Sequence, residues 1–334
     1  MKNKKIKRVA ILTSGGNSPA MNNVVITMMR KCRYYGVKIL LINNGYHGLV
    51  NNDFVNPEDL SSLSYFYATG NIFIGSSRFP EFKEYKYQQK AAKILKNHKI
   101  DCLFVIGGDG SYRGAAELKK LGVRVICFPG TIDNDVASTE RTIGFSTALN
   151  NIMNNIDAVR NCFDSHLGIC LVEVMGRRFP DLAIKAGIAC QAEEIITIDN
   201  VLTTKQIIDI AKETWKNKHR SCLIVVTEKI YGRDGLPTLK EIAEAVEKST
   251  NRISRVCILG YTQRGGIPTA EDRNLAISMA DYGFNLAFNK PNGSYAICLN
   301  NNRITHIDIE EAVKMNAKTV NSEMLNNFNK YNKI

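Results

Sequence analysis

Three short segments concentrate the residues that chemistry could use. Gly107-Gly-Asp-Gly-Ser111 sets one carboxylate, Asp109, between glycines. Glycine lets a backbone approach a ligand closely, and a carboxylate in that setting suits Mg2+ held beside phosphates. The competing role for Asp109 is a turn or helix cap, which glycines on both sides at a strand end make the weaker reading. Pro129-Gly-Thr-Ile-Asp-Asn-Asp135 gathers the hydroxyl of Thr131 and the carboxylates of Asp133 and Asp135 within five residues. One such carboxylate near a metal-bound nucleotide can serve as a general base on a hydroxyl. Thr13-Ser-Gly-Gly-Asn-Ser-Pro-Ala-Met-Asn22 carries paired glycines ahead of a helical pattern. A helix N-terminus attracts anions, although this segment by itself also reads as a tight turn. Arginines recur in Gly176-Arg-Arg-Phe-Pro-Asp181 and Gly260-Tyr-Thr-Gln-Arg-Gly-Gly266, and Glu228 follows Val225-Val226-Thr227. A lone arginine is ordinary surface; several at successive strand ends describe an anion-rich cleft. Neither G-x-G-x-x-G nor G-x-x-x-x-G-K-[ST] is present, so both dinucleotide and P-loop readings lose support.

Each of these segments follows an apolar run. Strands are expected at Arg8–Thr13, Lys38–Asn43, Asp101–Ile106, Arg124–Phe128, Ile169–Met175, Glu194–Ile198, Ser221–Glu228, Arg255–Gly260 and Tyr295–Leu299. Their near-continuous apolar character is that of a parallel sheet covered on both faces. Amphipathic stretches lie between them. Met21, Val24, Val25, Met28 and Met29 form one, with Ser18 as N-cap, Pro19 at the first helical position and Gly36 at the end. Others are Ala91–Lys99, Tyr112–Leu121, Phe145–Phe163, Lys205–Lys216, Leu239–Lys248 and Ala270–Phe288. The alternation predicts a doubly wound α/β fold, whose ligands bind beyond the carboxyl ends of the strands.

Composition bounds the rest. The chain has 334 residues, 44% hydrophobic and 23% charged, which excludes disordered and fibrous classes. No apolar run approaches the roughly 20 residues of a membrane span, and Val9–Leu12 is too short for a signal peptide. A cytoplasmic location is expected. The nine cysteines show no Cys-x-x-Cys spacing and mostly sit in apolar runs, where a small buried hydrophobe is the expected role. The five scattered histidines suggest no structural zinc. The net charge of +12 is spread along the chain without a long basic block. It therefore points to neither nucleic acid nor membrane partners, and some arginines can serve phosphorylated substrates.

Taken together, Thr-Ser-Gly-Gly-x-x-Pro-x-Met-Asn at 13–22, Ser-Arg-Phe-Pro-Glu-Phe at 77–82, Gly-Gly-Asp-Gly-Ser at 107–111, Pro-Gly-Thr-Ile-Asp-Asn-Asp at 129–135, Thr-Ile-Gly-Phe at 142–145, Val-Glu-Val-Met-Gly-Arg at 172–177 and Gln-Arg-Gly-Gly-x-Pro at 263–268 resemble the bacterial ATP-dependent 6-phosphofructokinase family. The resemblance covers about the whole chain. It implies two α/β lobes with mainly parallel sheets, an active site in the cleft between them, a homotetramer, and transfer of the ATP γ-phosphoryl to the 1-hydroxyl of fructose 6-phosphate. Residues 1–143 plus about 261–310 would form the larger, nucleotide-binding lobe, and about 144–260 the smaller, sugar-phosphate-binding lobe. Gly16 would offer its N–H to the ATP phosphates, Arg78 would bridge the transferring group, and Phe79 would line the nucleotide site. Asp109 would serve Mg2+, with Gly108, Gly110 and Ser111 around the nucleotide. Asp133 would take the proton of the sugar hydroxyl, flanked by Ile132, while Thr131 and Arg177 hold the phosphoryl group in flight. Met175, Gly176 and Glu228 would contact the sugar. Arg255 and Arg264 would bind the 6-phosphate, one of them from a neighbouring subunit, in a pocket that includes Tyr261.

The chain also departs from the family pattern. Asn17 stands where Asp is usual, Ala20 and Pro180 where Gly is usual, Gly168 where a 6-phosphate arginine is expected, and Tyr261 where a histidine is expected. These changes leave the nucleotide side whole and thin out the sugar-phosphate side. Gly110 and Gly130 imply ATP rather than pyrophosphate as donor, by leaving room at the nucleotide. Of the family's effector site, Arg30, Arg160 and Glu193 remain, whereas Ile26, Leu60, Asn217, His219, Ser221 and Gln191 replace expected residues. Two alternatives stay open: a kinase for another sugar phosphate, and a weakly active or inactive regulatory homologue that binds nucleotide or phosphosugar.

Overall fold

The computed structural model describes residues 6–57, 64–176, 179–216, 221–290, 292–320 and 322–332. The chain divides into two compact units, Met1–Thr147 with Arg264–Lys318, and Ala148–Gln263 with Thr319–Ile334.

The first unit runs through β1 (Arg8–Thr13), α1 (Met21–Tyr34), β2 (Lys38–Ile42), α2 (Gly45–Val50), β3 (Phe54–Val55), α3 (Tyr85–Asn97), β4 (Cys102–Gly107), α4 (Asp109–Lys120) and β5 (Val125–Pro129). The chain then enters α5 (Phe145–Asp164), which carries it into the second unit. There it forms β6 (Ile169–Val174), α6 (Asp181–Ala189), β7 (Glu194–Ile196), α7 (Thr204–Lys216), β8 (Cys222–Thr227), α8 (Leu239–Thr250) and β9 (Ser254–Ile258). It returns to the first unit as α9 (Ala270–Asn289), β10 (Tyr295–Asn300), β11 (Arg303–Asp308) and α10 (Ile309–Lys314), and ends in the second with α11 (Ser322–Tyr331).

The first sheet has the order β11-β10-β5-β4-β1-β2-β3. Its five inner strands are parallel, and β3 and β11 are antiparallel edges. Alternate residues feed opposite layers: Val9, Ile11, Phe104 and Ile106 join α1 and α9, and Ala10, Leu12, Leu103 and Val105 join α2, α3, α4 and α10. Both faces are thus apolar, which is why these strands read as unbroken hydrophobic runs. The second sheet, β7-β8-β6-β9, is wholly parallel. Burial pushes the thiols of Cys32, Cys102 and Cys170 up to about 12, so they act as packing groups.

Several local expectations change. Ser18 is not the N-cap of α1: its hydroxyl donates to Ile143 O at 2.7 Å, and Ala20, left-handed at φ 68°, precedes Met21 instead. The helix before β4 begins at Tyr85, not Ala91. β3, β11, α2, α6, α10 and α11 were hidden in segments too short or too polar to show a period.

Candidate active site

Chain order reverses at β1: β2 lies on one side and β4, then β5, on the other. Ligands favour the carboxyl ends at such a point, and the glycine loops leave from there. Ser14 N–H bonds Ile106 O at 2.8 Å, and Gly15 N–H bonds Ser77 O at 3.1 Å. The second bond lays segment 76–79 along the first loop, beside which Arg78 is exposed and Phe79 packs edge-on to His47 and Tyr87. Gly107 ends β4 and must be glycine, because an added Cβ would meet Ser111 Oγ and sit 2.6 Å from Ser14 O. Gly108 is the N-cap of α4, Asp109 is its first residue, and Gly110 faces open space. Ser111 is buried, with its hydroxyl donating to Ser14 O at 3.3 Å. The exposed carboxylate of Asp109 pairs with Arg113, one turn on, at 2.8 Å.

β5 lies beside β4, with Gly107 opposite Pro129 and Gly130 N–H on Gly107 O at 3.0 Å. The loop after β5 therefore starts next to Asp109's turn; an added Cβ on Gly108 would lie 3.5 Å from Thr131 Cβ. Thr131 Oγ1 accepts the N–H of Asp133 at 3.2 Å, and Thr131 O accepts the hydroxyl of Thr142 at 2.6 Å. Ile132 is buried and anchors the loop, leaving Thr131 and Asp133 half-buried. Gly16, Arg78, Phe79, Gly108, Asp109, Gly110, Ser111, Thr131, Ile132 and Asp133 thus all belong to the first unit. So does Arg264, whose Nη1 donates to Asn17 O at 3.1 Å and would lie 2.7 Å from a Cβ on Gly16. The α-carbon of Gly130 does not open onto free space: a Cβ there would meet Ile106 and Met21 at 2.8 Å each. Packing explains that glycine, rather than room for a donor.

In the second unit, Met175, Gly176, Glu228 and Tyr261 follow the carboxyl ends of β6, β8 and β9. Gly176 has φ 121° and Tyr261 is 84% exposed. Arg255 stands apart. It is the second residue of β9, opposite Cys170, and so lies near the amino end of the strand, whereas Tyr261 follows its carboxyl end. Its guanidinium pairs with Glu247 and donates to Ser254 O at 2.7 Å. Arg177 lies outside the described residues.

Residues 8–286 match the phosphofructokinase family. The chain belongs to that family. It is 41% identical over 328 residues to the ATP-dependent 6-phosphofructokinase of Mycoplasma mobile, covering 98% of this chain and 99% of the relative. It is 39% identical over 309 residues to that of Aliivibrio fischeri, covering 92% and 94%. The solved phosphofructokinase of Saccharomyces cerevisiae superposes with a TM-score of 0.79 at 29% identity over 92% of this chain. This chain spans 45% of that longer one.

Four further groups shape the loops. Gln263, fully buried, accepts Met175 N–H at 3.0 Å and donates to Gly260 O at 2.9 Å, tying the end of β6 to the turn after β9. A buried amide inside the Gln-Arg-Gly-Gly motif was the available signal. Asn17 donates to Gly70 O at 3.1 Å and Arg264 O at 3.4 Å, a role an aspartate lacks the protons to fill. Arg113 could be found from its i+4 spacing to Asp109. Glu173 lies near Glu228; burial first, then that like charge, push its carboxyl above the ordinary range. At the effector positions, Arg160 donates to Cys190 O, to Gln191 O at 3.0 Å and to Glu193 at 3.5 Å, while Arg30 lies 4.7 Å over the Tyr67 ring. Leu60, Asn217 and His219 are outside the described residues.

Proposed function

We propose that this chain transfers the γ-phosphoryl of ATP to the 1-hydroxyl of fructose 6-phosphate. The observation that carries this reading is the adjacency of two loops at neighbouring parallel strand ends. One offers a glycine turn and Asp109 at a helix N-terminus, the other offers Asp133. The names of the bacterial relatives support the choice of donor and acceptor.

The backbone N–H groups around Gly16, Gly108 and Gly110 hold the nucleotide phosphates, Ser111 fixes the turn, and Phe79 flanks the nucleotide. Asp109 fits Mg2+: its carboxylate is exposed, and the described residues hold no cluster of three His, Cys, Asp or Glu groups that could cage a metal. One carboxylate plus substrate phosphates is how Mg2+ is usually bound. Held there, the ion would supply neutralisation of the nucleotide's phosphate charge. Arg113 must release Asp109 for this. Asp133 takes the proton of the attacking hydroxyl, Thr131 and Ile132 set its loop, and Arg78 and Arg177 stabilise the phosphoryl group in flight.

Met175, Gly176, Glu228 and Tyr261 hold the sugar, so the first unit serves as the nucleotide lobe and the second as the sugar-phosphate lobe. Arg264 reaches the phosphates from beside Gly16. Arg255 lies near the amino end of β9, the opposite end of the strand from Tyr261, which supports a role in a neighbouring copy and hence a homotetramer. ATP as donor supports a cytoplasmic setting. Gly168, without a side chain, favours one second reading, a preference for another phosphosugar.

Steady-state turnover of a sugar-phosphate panel with ATP, Mg2+ or pyrophosphate tests the proposal. Asp133→Asn should lower kcat by roughly two to four orders of magnitude with KM for ATP nearly unchanged. Wild-type kcat in that variant would refute the assignment of the base.

A further inference from the structure

Lys318 lies in an irregular stretch after α10, and its neighbours Met315, Asn316, Ala317 and Thr319 are exposed. Its own side chain turns inward. Its ammonium, a donor with no acceptor role, meets Asn134 O at 2.7 Å, Asn134 Oδ1 at 3.2 Å and Glu140 O at 3.4 Å. The first contact joins residues 184 positions apart.

Asn134 stands between Asp133 and Asp135, is 3% exposed, and is held at φ 53°. Left-handed geometry suits few residues besides glycine and asparagine. Its amide is engaged at both ends: Oδ1 accepts Thr142 N–H at 3.0 Å, and Nδ2 donates to Glu140 O at 3.2 Å. The turn at Asn134 sets the direction in which the preceding residue, Asp133, is presented. A charge-assisted hydrogen bond is roughly twice as strong as a neutral one, and Lys318 brings its charge to both oxygens of the residue that makes the turn.

We propose that Lys318 is a positioning residue for phosphoryl transfer, clamping the Asn134 turn so that Asp133 meets the acceptor hydroxyl. The inference rests on Asp133 being the base. Displacing a catalytic group by about 1 Å can cost on the order of 100-fold in rate, so the effect belongs in kcat.

The test compares Lys318→Met, Lys318→Ala and Lys318→Arg in the full chain, measuring kcat, KM for each substrate and the melting temperature. Lys318→Met and Lys318→Ala should lose about 10- to 100-fold in kcat with KM for ATP unchanged, and Lys318→Arg should lose less. Added ethylammonium should restore part of the Lys318→Ala rate in a saturable way and leave wild type and Asp133→Asn unaffected. Lys318→Met at wild-type kcat would overturn the inference. So would a loss that follows the fraction of folded protein and ignores the amine. If wild type turns over no sugar phosphate, or Asp133→Asn is fully active, the proposed function itself fails and the role of Lys318 fails with it. An active wild type, a crippled Asp133→Asn and an unaffected Lys318→Met would sink the clamp alone.

Discussion

Asp272, in the first turn of α9, is completely buried. Its carboxylate accepts Gly144 N–H at 2.9 Å, Thr147 N–H at 2.7 Å and the Thr147 hydroxyl at 2.5 Å. Gly144, at φ 102°, admits no side chain because Ser18 Oγ occupies that space, so the segment cannot shift to find other partners. Asp272→Ala strands three donors, each costing about 1–3 kcal/mol when buried. Part of that is returned, because burial already disfavours the charged carboxylate and raises its pKa. The net loss should be about 3–5 kcal/mol. Asp272→Asn keeps an acceptor but turns an amide N–H toward another donor, and should lose about 2 kcal/mol. The segment also touches the candidate site: Ile143 N–H bonds Pro129 O at 2.8 Å and Thr142 bonds Thr131 O. Activity should therefore fall together with stability. Urea unfolding of Asp272→Ala, Thr147→Val and the double variant gives the coupling directly, expected at about 1.5–3 kcal/mol for a hydrogen bond to a charged group. A loss under about 1 kcal/mol for Asp272→Ala, or a coupling near zero, would show that the carboxylate does not hold this segment.

Two further outcomes follow from local strain and charge. Ala20 occupies a left-handed position, so Ala20→Gly should stabilise by roughly 0.5–1 kcal/mol after the entropy of glycine is counted; thermal melting checks it, and a lower midpoint would contradict the strain. Glu173, with its pKa raised by burial and by Glu228, binds its proton in the folded state at pH values where the unfolded chain has released it. Stability therefore falls as pH rises through that window and stays lower above it. Glu173→Gln should melt higher than its parent at neutral pH, with the gap closing as pH falls into the ordinary carboxylate range; a gap independent of pH would refute the cause.

The fold was legible where periodicity is strong. β1, β4, β5, β6 and β8 are apolar on both faces, and each of the glycine or acidic loops but Gly260–Gly266, which follows β9, leaves from one of them. The antiparallel edges escaped notice. β3 has two residues, and β11 carries Ile304 and Ile307 three apart, on opposite faces, so no alternating pattern shows. Ser18 looked like a helix cap because its type and place fit the rule, yet its hydroxyl goes to Ile143 O, 125 residues away. The nucleotide side of the candidate site is written in local sequence, since turns made of glycine and backbone leave contiguous motifs. Asp272 and Lys318 left no such trace. Each acts on a loop distant in sequence, and nothing in the spacing of Thr131 to Asp135 calls for a lysine near the C-terminus.

The sugar-phosphate side is harder to complete, and the structure gives a physical reason. Gly168 precedes β6 and faces the residue just before β9; an added Cβ would lie 2.9 Å from Ile253 O and 2.9 Å from the Phe163 ring. A side chain there must displace a backbone carbonyl or a ring, so Gly168 is built into the packing, and an arginine cannot simply be restored. Among the described residues, Arg252 and Arg255 carry the guanidinium groups nearest this corner of the sheet. Arg252 donates to Leu167 O at 3.4 Å and lies 4.7 Å over the Trp215 ring. Arg255 is paired with Glu247 on α8. The pair is exposed, so parting it costs little, and a dianionic phosphate can outcompete one carboxylate for that guanidinium. Arg252 would have to leave both an aromatic face and a carbonyl. Of the two, Arg255 is therefore the more easily parted from its partners.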